Sequence, residues 1–306
     1  MKFYCFILLS LFSISNINAQ KSNAEFLFKM DTFKFVYNLH EPDKVYKLPG
    51  KLNEISGLSF YKKNELAVVQ DEKGNVYFFD VITGEINEKI DFSDNGDFEG
   101  IEVIDDQIWV LKSNGNLYRV NYLKNKNETN TKEYKTHLSK KNDAEGLAYD
   151  KNNNRLLIAC KGQPYSDDKK GNNKKAIYFF DLDEKKLSKK PLILIDIEQI
   201  KKLKKYNKMA ILGLDLLRWF SPAKGDLSFQ PSGISIHPET NNIYVLASVG
   251  KLLIVFDKNG EFLSVIKLNS RIFEQPEGIC FDPDGNLYIS NEGKDSAATV
   301  LKFGQK

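Results

Sequence analysis

The chain has 306 residues, 44 Lys plus Arg against 41 Asp plus Glu, a net charge of +3 and 42% hydrophobic residues. That apolar content excludes global disorder, and so small a net charge excludes the strongly basic footprint of a nucleic-acid-binding domain. Three cysteines cannot staple a scaffold of this length, and the three histidines, His40, His137 and His237, lie too far apart for zinc-ligand spacing.

Met1-Lys2, the apolar run of residues 3–12 and the small Ala19 together predict a secretory signal peptide over residues 1–19. The run is short for a hydrocarbon core of about 30 Å, so cleavage is favoured over a membrane anchor. No Cys follows it closely enough for lipid attachment, and no later segment is long and apolar enough to cross a membrane. The expectation is an exported domain over residues 20–306, in the periplasm or cell envelope. The alternative is membrane association through an uncleaved N-terminal segment.

From residue 54 onward the chain repeats itself. Glu54–Phe60, Asp97–Val103, Asp143–Tyr149, Gln230–Ile236 and Gln275–Phe281 share one pattern centred on Gly57, Gly100, Gly146, Gly233 and Gly278. The steps between those glycines are 43, 46, 87 and 45 residues, and a period in the forties belongs to four-stranded propeller blades. After each glycine comes a short strand and a turn built from Asn, Asp, Pro or Gly, such as Asp150–Asn154 or Asp282–Asn286. A second strand follows (Leu66–Val69, Ile108–Leu111, Leu156–Ala159, Ile243–Leu246, Leu287–Ser290), and then a third (Asn75–Asp80, Asn116–Val120, Ala176–Asp181, Leu252–Asp257). Fourth strands are visible at Glu88–Ile90, Leu192–Ile195 and Leu263–Leu268. The prediction is a single all-β propeller of five blades, with six as the alternative count. Within the long step, Ile211, Leu214, Leu217 and Phe220 recur at threes, so residues 197–220 read as a helical insertion and not a blade. The last unit is one strand short. The stretch Lys34–Leu48 is predicted to supply its outer strand and close the ring without a free edge.

The five motifs, in this order over roughly Phe35 to Phe303, resemble the SdiA-regulated family of exported bacterial β-propeller proteins. The resemblance implies an envelope location and brings no assigned reaction with it. The last unit is also similar to the propeller repeats of gluconolactonase-type enzymes. The other units do not reproduce that family's catalytic Asn and Asp pattern, so no catalytic residue is carried over.

In a four-stranded blade, the link into the first strand and the loop from second to third strand share one face, here called the top. The repeat places Glu54, Asp97 and Asp143 three residues before a glycine, and Glu99, Glu145 and Glu277 immediately before one. The second-to-third loops add Asp71, Lys112, Lys161 and Glu292. Symmetry gathers these around the channel mouth as an acidic ring with two lysines. Crowded carboxylates repel and need a cation. Oxygen-only ligands without His or Cys suit Ca²⁺ or Mg²⁺ and not zinc, with Glu99, Glu145 and Glu277 as the candidate ligands. Otherwise the ring is structural, its carboxylates satisfying backbone N–H groups and pairing with Lys112 and Lys161. No cofactor is fixed by the sequence.

Two elaborations, the polar loop Gly162–Lys175 and the helical insertion, also fall on the top face, where function gathers. The end of that insertion, Leu216–Phe220, either covers a blade edge, docks a partner or touches a membrane surface. The leading function is a binding module for a small molecule, glycan or protein. The alternative is a metal-dependent hydrolase of a phosphoester, ester or lactone at the same ring. No nucleophile elbow or catalytic triad is present. Cys160 and Cys280 fall on strands of different blades and read as buried thiols. Asp282–Asn286 lacks the distal Glu of a calcium loop and reads as a tight turn, and His237 is expected to sit exposed at the head of another.

Overall fold

The apolar runs are short, β-branched or aromatic, and bounded by residues that turn the chain, so they form strands and not helices. The computed structural model describes residues 22–123, 128–165, 173–203, 228–294 and 296–306. The signal-peptide segment 1–19, loop residues 166–172 and residues 204–220 of the helical insertion lie outside them.

The described chain enters through β1 (Glu25–Lys29) and β2 (Lys44–Lys47). Blade one is β3 (Ile55–Lys62), β4 (Glu65–Gln70), β5 (Asn75–Asp80) and β6 (Ile86–Asp91). Blade two is β7 (Phe98–Ile104), β8 (Gln107–Lys112), β9 (Leu117–Leu123) and β10 (Glu128–Tyr134). Blade three is β11 (Ala144–Asp150), β12 (Arg155–Cys160) and β13 (Lys174–Asp181), with β14 (Lys186–Leu187) and β15 (Ile193–Asp196) sharing the outer edge of β13. Helix α1 then begins at residue 197 and is described to residue 203. Its Ile197 and Ile200 are buried against blades three and four. Blade four is β16 (Gln230–Ile236), β17 (Ile243–Val249), β18 (Leu252–Phe256) and β19 (Phe262–Lys267). Blade five is β20 (Pro276–Phe281), β21 (Leu287–Asn291) and β22 (Thr299–Phe303).

Inner strands touch in the cycle β3, β7, β11, β16, β20 and back to β3, which makes five blades in a closed ring. As expected from the short last unit, β2 pairs antiparallel with β22 from Lys44↔Lys302 to Lys47↔Thr299, locking the N-terminal stretch to the C-terminal blade. A second closure was not legible in the repeat: β1 pairs with β19 and becomes a fifth strand of blade four.

The core is divided among the spaces between blades. In β4, Ala67 and Val69 pack toward blade two with Ile101 and Val110, while Leu66 and Val68 pack toward blade five with Tyr288 and Val300. Burial on both faces explains why this strand is apolar throughout instead of alternating. Between blades two and three, Trp109 packs against Tyr134 and Phe180, with ring centroids 5.3 and 6.0 Å away. Cys160 and Cys280 are buried free thiols.

On the bottom face Asp282 caps its own turn, accepting from Asn286 N at 2.8 Å and from Asn286 Nδ2 at 2.7 Å. This is the tight turn expected there. His237 corrects the expectation of exposure: it is 2% exposed. The N-terminal segment crosses beneath it, and Tyr37 and Phe281 pack on its ring at 6.3 and 5.0 Å. Its Nδ1 accepts the backbone N–H groups of Glu239 and Thr240, and burial holds its pKa below the usual histidine value.

Candidate functional site

The top face is built by one irregularity repeated five times. Near the start of every inner strand the pairing register slips, between Ile55 and Gly57, Phe98 and Gly100, Ala144 and Gly146, Pro231 and Gly233, and Pro276 and Ile279. Each slip encloses the residue before the repeat glycine. An extra residue of this kind re-aims its side chain and often stands beside a functional site. The glycine itself permits the close approach of neighbouring blades. A Cβ on Gly57 would lie 2.9 Å from the Glu99 carbonyl oxygen, and one on Gly146 would lie 2.8 Å from Ile234 N.

What occupies the slipped position decides its use. Ser56 Oγ donates to the Phe98 carbonyl of blade two at 2.7 Å, and Ser232 Oγ to the Pro276 carbonyl of blade five at 2.7 Å. These are equivalent stitches to the next blade. Glu99, Glu145 and Glu277 hold the same position in the other three blades. Two residues beyond the glycine a second stitch recurs. Ser59 Oγ accepts from Val103 N at 3.2 Å, and Glu102 Oε1 accepts from Tyr149 N at 3.2 Å. Burial pushes Glu102 up to about 7. This carboxyl was not singled out from sequence, although aligning the repeats sets it opposite Ser59, Ala148, Ser235 and Cys280.

Below the mouth the axis is closed. The space among the inner strands is about 10 Å³, room for no more than a single water. A ligand therefore meets the mouth and not a channel.

At that mouth the carboxylates divide into two groups. In the first, Lys161 Nζ lies 2.9 Å from Glu145 Oε1. Burial would lower the Lys161 pKa, but Glu145, Asp143 and Glu277 outweigh it and raise it. Glu145 is 5% exposed; burial pushes it up to about 7 against the opposing pull of Lys161. Burial, then the charge of Glu145, then Asp97 push Glu99 up to about 10, so it keeps its proton near neutrality. Burial pushes Glu277 up to about 7, with Ser248 and Lys161 opposing. In the second group, burial and then Glu54, Glu72, Glu292 and Asp97 push Asp71 up to about 6. Its Oδ1 is buried with no hydrogen-bond partner among the described residues. Glu292 acts on both Asp71 and Glu277 and joins the groups. The exposed Asp97 accepts from Ser113 Oγ. Lys112 is placed to one side, its Nζ 5.3 Å from the Phe98 ring centroid.

Among the described residues, no group of three or more His, Cys, Asp or Glu side chains is placed to hold a metal ion. Glu99, Glu145 and Glu277 form no such group, and Glu145 is engaged by Lys161.

Beside the ring, between blades four and five, lies a cavity of about 350 Å³. Lys161 and Glu277 of the ring form part of its wall, with Ser232, Ser248, Gln230 and Gln275. Gln275 Nε2 donates to Glu292 and ties the cavity to the second acidic group. Lys251 and Lys294 also stand in the wall and were not anticipated. Lys251 stands just past Ser248 in the β17–β18 turn, at a positive φ of 50°, and Lys294 follows Glu292 in the β21–β22 loop. The spacing of the loops from the repeat glycines was the available signal.

The SdiA-regulated family profile matches residues 37–215 and 188–294. The chain belongs to the SdiA-regulated family. The SdiA-regulated match takes in the whole top-face ring from Glu54 to Glu292 and reaches the cavity lysine Lys294. A search by sequence finds no match among curated proteins. Solved structures with the same fold include a glutaminyl cyclase from Myxococcus xanthus, at 12% identity and TM-score 0.55, covering 86% of this chain and 94% of that one. The PQQ-bound aldose sugar dehydrogenase from Streptomyces coelicolor gives 11% identity and TM-score 0.51, with coverages of 87% and 98%. A gluconolactonase from Xanthomonas campestris gives 11% and 0.50, with coverages of 82% and 72%. At these identities the likeness is one of fold.

Proposed function

We propose that this SdiA-regulated protein is an exported binding module that holds a polar ligand on its top face, in the cavity between blades four and five. The observation that carries this reading is the pairing of a closed axis with an open polar cavity. The axis leaves about 10 Å³, whereas the cavity beside it offers about 350 Å³ and is walled by hydroxyl, amide, ammonium and carboxyl groups. Ligand sites run from about 300 Å³ upward, so the cavity is large enough for a small molecule.

A hydrolase acting on an ester, lactone or phosphoester at the same place draws support from Glu145 and Glu277, which burial pushes up to about 7. Carboxyls tuned near the working pH suit proton transfer. The described carboxylates give no ready metal site, so this reading routes no step through an ion.

The test is thermal unfolding of residues 20–306 against a library of small polar metabolites and envelope glycans, with Ca²⁺ and with chelator. A ligand of the native state raises the melting temperature by mass action. A shift that disappears in Ser248→Ala and Gln275→Ala supports the reading. An unchanged melting temperature across the library, the glycans and Ca²⁺ overturns it. Turnover of a hit marks the hydrolase alternative. Export is checked separately by N-terminal sequencing of the secreted product, with Gln20 expected as its first residue.

A further inference from the structure

The lysines of the cavity come from three loops of three blades. Lys161 follows β12 in blade three, Lys251 stands between β17 and β18 in blade four, and Lys294 lies between β21 and β22 in blade five. Lys161 has Glu145 as its counter-ion. Lys251 Nζ donates to the Glu274 backbone carbonyl, and neither it nor Lys294 makes an ion pair among the described residues. Lys267 stands close behind, its Nζ donating to the Gly250 carbonyl at 2.6 Å. Burial lowers the Lys251 pKa; Lys294 and Lys267 push it the same way, and Glu277 and Glu274 oppose them. Ammonium groups brought together like this repel unless an anion sits among them.

We propose that the cavity takes a small hydroxylated anion, its carboxylate or phosphate among Lys161, Lys251 and Lys294 and its hydroxyls on Ser232, Ser248, Gln230 and Gln275. The proposal rests on the reading of this cavity as the ligand site. Lys161 is answered by Glu145, so the charge open to an anion comes from Lys251 and Lys294, which stand in the wall with Glu274 and Glu277 and make no ion pair among the described residues. The one aliphatic side chain in the wall is Val249. The wall is thus more polar than the mostly apolar lining of common small-molecule pockets. Ser232 Oγ, whose proton goes to the Pro276 carbonyl, and Gln275, whose Nε2 donates to Glu292, still have an oxygen that can accept from a ligand hydroxyl.

The test is isothermal titration of residues 20–306 at low salt with two matched pairs, gluconate against glucitol and glycerol 3-phosphate against glycerol. Each pair keeps a hydroxylated frame and removes the charge, and together they separate carboxylate from phosphate recognition. At least one anion is expected to bind with a dissociation constant below about 1 mM and to exceed its neutral partner by about tenfold. Lys251→Met and Lys294→Met are each expected to weaken it by about tenfold. Lys151→Met, in the bottom turn of blade three, serves as the control and is expected to leave it unchanged. Added salt weakens the binding through screening. Equal binding of the neutral partner, or wild-type affinity in both lysine variants, overturns the anion proposal. The cavity reading survives that result if Ser248→Ala still abolishes binding. Silence from all four compounds at about 1 mM also overturns the anion proposal, and the wider library then decides the cavity reading alone.

Discussion

Replacing Lys161 by Met tests whether one ammonium holds the first carboxylate group together. Its Nζ lies 2.9 Å from Glu145 Oε1, with side-chain exposures of 37% for Lys161 and 6% for Glu145. Removing one member of a buried pair costs about 3–5 kcal/mol. Lys161 is more than a third exposed, so solvent screening reduces the expected loss to about 1.5–2.5 kcal/mol at about pH 8.5, where the wild-type Glu145 is ionised. The loss depends on pH, and its sign follows from Glu145. With Lys161 present, burial sets Glu145 at about 7 while the ammonium pulls it down; without the ammonium it rises further. Well below that value Glu145 is protonated in both proteins, and the variant loses little. Above it the wild-type carboxylate ionises and pairs, whereas the folded variant retains up to one more proton. The stability difference then grows by up to about 1.4 kcal/mol per pH unit. Urea unfolding followed by circular dichroism at about pH 5.5, 7 and 8.5 reads this directly. A difference that stays flat across that range, or a variant as stable as wild type at the highest pH, refutes the assignment of Lys161 as counter-ion. Lys161→Arg should restore most of the loss.

Gly146→Ala is expected to destabilise by about 1–3 kcal/mol, because its Cβ would meet backbone of the next blade. Gly50→Ala, with nothing within 4 Å of the new atom, is expected to stay within about 0.5 kcal/mol in the same denaturation assay. Ser232→Ala removes the 2.7 Å bond to the Pro276 carbonyl and should cost about 1–3 kcal/mol, since a buried acceptor is left without its donor. Unchanged stability there dissolves the stitch. Wild-type stability should fall as pH rises from about 5 to about 8. Asp71 at about 6 and Glu145 and Glu277 at about 7 are all raised, so the folded chain holds protons that the unfolded chain has released. A melting temperature that climbs over that window contradicts the sign.

The repeat made most of the fold legible because each glycine marks a contact that only glycine permits, and five such contacts in order define a ring. What it missed lacks that mark. The outer strand β10 reads Glu-Thr-Asn-Thr-Lys-Glu-Tyr, with no apolar alternation to announce it. β1 lies before the first motif and is held by β19, a partner more than two hundred residues away. His237 was misplaced for a similar reason: the turn is local, but Tyr37 and Phe281 bury it from elsewhere in the chain. The ring carboxylates were located by symmetry alone. Their division into a group answered by Lys161 and a group around Asp71 depends on loop paths that symmetry does not specify. Lys251 and Lys294 belong to those same loops.

The slipped position in each inner strand connects scaffold to function. A serine there binds the next blade, and Ser56 and Ser232 do so with matching geometry. Stability alone favours a hydroxyl at all five places. Three instead carry glutamates whose pKa values are driven upward by burial, so the fold gives up a stitch and takes on a buried acid at each. Departures of this kind, where a local rule is broken, are where function is expected. The cavity lies across one such contrast, with Ser232 on its blade-four wall bonded to the Pro276 carbonyl and Glu277 on its blade-five wall bonded to Ser248. One side is pinned by a hydrogen bond between blades. The other presents a carboxyl whose protonation responds near neutral pH. Lysines from three loops stand beside both, so this one inter-blade space combines a fixed wall, a titratable group and ammonium groups.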